Sequence, residues 1–243
     1  MAMRNKLKAT ANSKAERFLA IDIGGSHIKS MLVDKRGRPA SRRVSVKTPE
    51  PATPSWILKA IAVLAARLGA FEKISVGFPG VVRNGSVATA PNLDSSWRRY
   101  QLAAKLLRTF GKPTRVVNDA TVQGYAGING GGVELVLTLG TGVGSALFHE
   151  GRDIPNLEVA HHRFRHGKTY EEMLGNAALK SCGKKKWNRT LRKALRGLQR
   201  LFNCDSITIG GGNARKIKGK LPSNVRIISN LYGLLGAPGL WRR

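Results

Sequence analysis

A strand, a glycine-rich turn, a returning strand and then helices occur in that order twice along the 243-residue chain. In the first half Arg17–Asp22 and His27–Asp34 alternate in the manner of strands and flank Gly24-Gly25, which predicts a β-hairpin with a glycine tip. In the second half Glu134–Leu139 and Val143–Phe148 flank the turn Gly140–Gly144 in the same way. Two such units, each followed by helical periodicity, predict a duplicated α/β architecture of two lobes with a central cleft. Three glycines around Asn129–Gly132 read as a hinge, so the expected division is a basic leader over 1–16, a first lobe over 17–128 and a second over 129–243.

The intervening segments fill in the pattern. Val44–Val46 reads as a third strand, and Thr53-Pro54 starts a helix on which Trp56, Ile57, Ile61, Leu64 and Leu68 recur at helical spacing. Lys73–Phe78 is a buried strand, Tyr100–Phe110 a helix, and Arg115–Val117 a short strand feeding a helix that begins at Asp119. Helices are expected near Tyr170–Ser181 and Trp187–Phe202, then a strand at Ser206–Ile209, the turn Gly210–Gly212 and a short helix.

Charge sets the chain apart. Lys plus Arg number 42 against 14 Asp plus Glu, a formal net charge of +28, which needs a polyanionic partner (nucleic acid, an anionic membrane or a phosphate-rich substrate), an unusual solvent, or tolerance of heavy self-repulsion. Cys182 and Cys204 have no metal-ligand spacing and read as free thiols of a reducing compartment. Without an apolar signal core or a membrane-length apolar run, the expected location is cytoplasmic.

Three glycine loops follow apolar strands. In Asp22-Ile-Gly-Gly-Ser26-His-Ile-Lys29, Gly24 and Gly25 let backbone amides approach a phosphate, Ser26 can donate to it, and Asp22 can hold Mg²⁺ or its waters. A plain hairpin turn would also use two glycines. Gly140, Thr141, Gly142 and Gly144 suit a phosphate cradle better than a structural turn, and Gly210, Gly211, Gly212 and Asn213 repeat the theme at a strand end. On spacing alone Asn118-Asp119 reads first as a helix cap, and second as a general base that the helix dipole would keep ionised. Glu158, His161, His162 and His166 could bind a metal, hydrogen-bond sugar hydroxyls, or belong to a solvated loop.

The most quantitative feature is a one-signed helix. At 100° per residue Arg189, Arg192, Lys193, Arg196 and Arg200 fall within about 60° of one direction, opposite Trp187, Leu191, Leu195 and Leu198. Lys184, Lys185 and Lys186 precede it, and no acid stands between Met173 and Cys204. A solvated amphipathic helix explains the apolar stripe but not the missing acids, whereas a stripe of ~16 Å suits an extended polyanion.

These pieces, in this order from about Phe18 onward, resemble the ROK family (repressors, open reading frames, kinases), and within it the kinases that use polyphosphate. The resemblance implies the actin-like ATPase, ribonuclease H-like fold and transfer of a phosphoryl group to a sugar. By position, Asp22–Lys29, Lys29 included, and Gly140–Gly144 would hold donor phosphates, and Gly210–Asn213 an adenosine or the distal phosphates. Asn118 would bind the sugar and Asp119 would be the base. Glu158-Val-Ala-His161 matches a Glu-x-Gly-His sugar motif with Ala160 in place of Gly, Pro91-Asn92 is a further sugar-facing element, and Glu171 or Glu172 supplies one more carboxylate. The polyphosphate branch is suggested by Thr48–Pro54, Phe78–Val82 and Ile154–Glu158. The cysteine-rich zinc motif common in the family is missing, so no structural zinc is expected; sixteen leading residues cannot supply a helix-turn-helix. The expected partners are glucose and polyphosphate or ATP, with Mg²⁺, and a homodimer is in keeping with such relatives. An ATP-only hexokinase and a non-enzymatic nucleic-acid binder are the rivals. The second lacks aromatic residues interleaved along the basic helix.

Overall fold

The computed structural model describes residues 16–91, 93–155, 157–229 and 232–242. In the first half, strands β1 (Arg17–Ile23), β2 (His27–Asp34) and β3 (Val44–Lys47) precede helix α1 (Pro54–Ala66) and strand β4 (Lys73–Phe78). A small hairpin of β5 (Val82–Arg83) and β6 (Ser86–Val87), helix α2 (Leu102–Phe110), strand β7 (Thr114–Asn118) and helix α3 (Asp119–Gly127) complete it. The second half runs β8 (Val133–Leu139), β9 (Val143–His149), β10 (Arg152–Ile154), the short strands β11 (Arg163–Arg165) and β12 (Lys168–Thr169), then α4 (Tyr170–Leu174) and α5 (Asn176–Phe202). It ends with β13 (Ser206–Gly210), β14 (Val225–Ile227) and α6 (Tyr232–Leu235).

The duplication is carried by topology. One sheet has the order β3-β2-β1-β4-β7 and the other β10-β9-β8-β13-β14. In each the first three strands are antiparallel and the last three parallel. Alternation along each strand builds two cores per sheet. Leu19, Ile21 and Ile23 of β1 face an outer core with Ile57, Ile61, Leu102 and Trp97, while Phe18 and Ala20 face inward. On β8, Leu135, Leu137 and Leu139 face the outer core with Trp187, Leu191 and Leu195, and Val136 faces inward.

Between the sheets lie α3 and α6, packed on each other. Each crosses to the other half. Ala120 of α3 joins Val136, Ala146 and Phe148 of the second sheet, and Leu234 of α6 joins Phe18, Met31 and Val33 of the first. The expected second lobe over 129–243 therefore gives up its last segment: the turn Ala237–Trp241 also packs on the first sheet, where Ser75 Oγ donates to the Ala237 carbonyl at 2.8 Å. A boundary drawn at the glycine run misses this, because α6 packs on α3 and buries Leu234 against the first-half strands.

Three more expectations change. The Asn129–Gly132 run is tied down: buried Glu134 accepts the Asn129 and Gly130 amides at 2.9 and 2.6 Å, and Glu150 and Asp205 accept those of Gly132 and Val133. The helix expected over Tyr170–Ser181 stops at Leu174. Gly175 is extended there, and a Cβ on it would stand 2.9 Å from the Glu171 carbonyl and 3.1 Å from that of Thr141. α5 then runs on to Phe202 and bends at Gly183 (φ 73°, ψ 160°), so the basic part begins at Lys184. The short helix after Gly212 is one 3₁₀ turn, Ala214–Lys216, too short to offer an anion its N-terminus.

Candidate active site

The two hairpin tips meet across the gap between the sheets. Both have their carbonyls tied down and amides left over. In the first, Thr48 donates its backbone N–H to the Ser26 carbonyl at 2.9 Å and its hydroxyl to the Gly24 carbonyl at 2.6 Å. In the second, Asn213 donates its side-chain amide to the Gly140 carbonyl at 2.9 Å, and the Asn176 amide donates to the Thr141 carbonyl at 3.1 Å. Among the described residues the amides of Gly25, Ser26, Thr141 and Gly142 have no protein acceptor. Successive free amides at a turn form an anion-binding concavity.

These tips open on one cleft of about 450 Å³. Asp22, Gly24, Gly25, Ser26, Lys29, Asn118, Asp119, Gly140, Thr141, Gly142, Gly144, Glu158, His161, Glu171, Gly211, Gly212 and Asn213 all line it. Gly210 does not, and Asn92 lies outside the described residues. None of Lys184, Lys185, Lys186, Arg189, Arg192, Lys193, Arg196 and Arg200 reaches it, because α5 packs on the outer face of the second sheet. The cleft cations are instead Lys29 and Arg215. Sequence reasoning missed Arg215, although it stands just past the third glycine loop. It also missed Thr138, Asn176 and the loop-bracing role of Thr48.

Asp119 sits where β7 gives way to α3. Asn118 is the N-cap, its side chain accepting the Ala120 amide at 2.9 Å, so the capping reading holds; Asp119 Oδ1 accepts the same amide at 2.8 Å. The expectation that the helix end keeps Asp119 ionised is corrected. Burial pushes its carboxyl up to about 7, helped by Asp22 and Glu158, and the Ala120 hydrogen bond and Lys29 offset only part of this. Gly144, a strand residue of β9, leaves the approach open: a Cβ there would come 3.7 Å from Asp119 Oδ1 and clash with Thr138 Oγ1.

Asp22 and Lys29 face each other across the β1–β2 hairpin and pair at 2.8 Å. On the far wall Glu158 lies 3.9 Å from His161, and burial with the nearby Glu171 raises its pKa. Glu171 and Glu172 differ in where they stand. Glu171 lines the cleft and accepts the Val143 amide at 3.1 Å, whereas Glu172 closes a capping box with Thr169 and is exposed. His162 turns to the Arg163 carbonyl, and among the described residues no three His, Cys, Asp or Glu side chains gather as a metal set. No helix among them is long and apolar enough to cross a membrane.

Comparison with known proteins shows the family of the chain. The chain is 33% identical over 237 residues to the polyphosphate glucokinase of Mycobacterium tuberculosis, covering 89% of this chain and 88% of that one. The crystal structure of the inorganic polyphosphate/ATP-glucomannokinase of Arthrobacter sp. strain KM superposes with a TM-score of 0.82 at 31% identity, over 92% of this chain and 97% of that one. A ROK family glucokinase of Streptomyces griseus shares the fold, with a TM-score of 0.73 at 22% identity over 92% and 98% of the two chains. The family model described as the ROK family matches residues 18–155, and with relatives aligned along most of its length, the chain belongs to the ROK family.

Proposed function

We propose that this protein is a glucokinase that transfers the terminal phosphoryl group of inorganic polyphosphate to the 6-hydroxyl of glucose, with ATP as a second donor. The observation that carries the reading is the cleft itself: a carboxylate poised near neutrality stands between sugar-type polar groups and two hairpin tips with free amides. The polyphosphate glucokinase at 33% identity supports the donor, as does the net charge of +28, far more than a nucleotide requires.

Asn118, Glu158, His161 and Glu171 would hold glucose. Asp119 accepts the 6-hydroxyl proton as that oxygen bonds to the terminal phosphorus. The bridging P–O bond breaks, and the donor leaves one unit shorter. A base with a pKa of about 7 is matched to this transfer at neutral pH, so kcat/KM rises with pH until Asp119 is ionised. The amides of Gly25, Ser26, Thr141 and Gly142 receive the phosphoryl oxygens.

Mg²⁺ fits the same floor. Asp22 and Asp119 repel there with one ammonium, Lys29, to offset them, and one carboxylate with phosphate oxygens and water is an ordinary Mg²⁺ set. When bound it neutralises charge on the transferred group.

The test is glucose phosphorylation with ATP and with long-chain polyphosphate separately, across a salt series. Polyphosphate turnover is expected, with a donor KM rising steeply with salt and an ATP KM far less sensitive. Activity with ATP alone would refute the donor assignment. Thr48→Val is expected to raise the donor KM roughly tenfold with the glucose KM unchanged, since the Gly24 carbonyl loses a buried partner worth about 1–2 kcal/mol. Thr48→Ser keeps the hydroxyl and should restore it.

A further inference from the structure

The basic face of α5 stands apart from the cleft, yet a loop rich in cations runs from the cleft wall to α5. Past Asn213 the chain reads Arg215, Lys216, Lys218 and Lys220 within six positions. Ala214 and Ile217 turn inward onto the second outer core, which leaves Arg215, Lys218 and Lys220 exposed. Buried Asn188 of α5 fixes this loop, accepting the Lys218 amide at 2.8 Å and donating to the Lys216 carbonyl at 3.2 Å. Arg192 donates to the Lys218 carbonyl at 3.0 Å, so it is a strut for the loop rather than a free cation of the stripe. One turn away along the helix stand Arg189 and Arg196, which continue the path.

These cations have no acid to answer. The ion pairs among the described residues are Lys29–Asp22, Arg38–Asp34, Lys73–Glu16, Arg226–Glu134 and His161–Glu158, none of them on the loop. Glu134, Glu150, Glu171, Glu172 and Asp205 are committed to backbone amides elsewhere. The path begins inside the cleft, where Arg215 is part of the wall.

We infer that the loop from Arg215 to Lys220, pinned by Asn188 and Arg192, carries the units of polyphosphate upstream of the reacting end out of the cleft and onto α5. The inference rests on the polyphosphate reading above. It favours polyphosphate over single-stranded nucleic acid, whose bases need stacking platforms. Among the residues whose side-chain exposure is described, Trp56, on α1 in the other half, is the one exposed Trp, Tyr or Phe.

The experiment compares long-chain polyphosphate, tripolyphosphate and ATP as donors for the wild type, for Arg215→Gln, and for the double variant Lys218→Gln/Lys220→Gln. The double variant should raise the KM for the long chain about five- to tenfold and lower the log–log salt slope by about 1–2, roughly one unit for each phosphate no longer neutralised. Its KM for tripolyphosphate and ATP should stay at the wild-type value, because neither extends beyond Arg215. Arg215→Gln should raise the KM for all three. An unchanged long-chain KM in the double variant, or an equal rise with ATP, overturns the path. So does a single-stranded oligonucleotide that binds the wild type more tightly than polyphosphate at equal salt. A wild type inactive on every polyphosphate refutes the donor assignment itself, whereas an active wild type with an insensitive double variant refutes the path alone.

Discussion

Asp119→Asn is expected to lower turnover by about 10³-fold while glucose binds much as before, and to raise the melting temperature above neutral pH. The first effect follows from the base. An amide keeps the shape and can still accept the Ala120 amide, but it cannot take the hydroxyl proton. The second follows from the same environment that tunes the base. Asp119 is raised from 3.8 to about 7, so its ionised form destabilises the fold. That penalty is absent below about pH 4, grows as pH rises between the unfolded and folded values, and is complete above about pH 7. Three units correspond to about 4 kcal/mol, owed first to burial of the charge and then to Asp22 and Glu158; a neutral amide is still buried and polar, so the replacement recovers roughly 2 kcal/mol of it. For a chain of this size that is about 4–8 °C. Melting curves of both proteins at pH 5 and pH 8 check it: the variant's gain should be large at pH 8 and small at pH 5. Near-wild-type turnover in the variant would remove Asp119 from the role of base. Melting temperatures that differ equally at both values would remove the electrostatic account.

What made the site legible in the sequence was locality. A strand ending in glycines and a hydroxyl states its chemistry within eight residues, which is why Asp22–Lys29 and Gly140–Gly144 could be read as phosphate loops. The same locality explains β1, β2, β4 and α1, whose periodicity and Thr53-Pro54 start match the observed elements to within a residue or so. What stayed hidden depends on residues far apart in the chain. The pKa of Asp119 is set first by its burial and then by Asp22 and Glu158, and all three effects exist only after both sheets form. α3 and α6 carry no signal that each will pack on the other half's sheet, since an apolar segment does not name its partner. The one-signed stripe on α5 was legible as charge, but its distance from the cleft was not, and Arg215 passed unnoticed because a lone arginine after a turn has no periodicity to mark it.

Gly211→Ala and Gly212→Ala, adjacent and chemically identical changes, are expected to differ by about 3 kcal/mol or more in stability. Gly211 adopts φ +85°, which an L side chain enters at a cost of about 1–2 kcal/mol. A Cβ there would also stand 2.6 Å from the Leu139 nitrogen and 2.7 Å from its carbonyl carbon, and press on its oxygen. Those atoms are backbone at the end of the central strand β8, where Leu139 pairs with Val143 of β9 and the preceding Thr138 pairs with Gly210 of β13, so none of them is a side chain that can swing aside. The strain has to move the third glycine loop away from Leu139. That movement breaks the Asn213 amide's bond to the Leu139 carbonyl and the Asn213 side chain's bond to the Gly140 carbonyl. The second hairpin tip then loses its brace, so the donor KM should rise along with the fall in melting temperature, by about 6–12 °C. At Gly212 no protein atom lies within 4 Å of the added carbon and the backbone is not left-handed, so that variant should melt like the parent. Differential scanning measurements with donor-varied kinetics on the two variants separate the outcomes. A Gly211→Ala protein as stable as Gly212→Ala would mean that the third loop does not lean on Leu139 in solution, and that the brace on Gly140 comes from elsewhere.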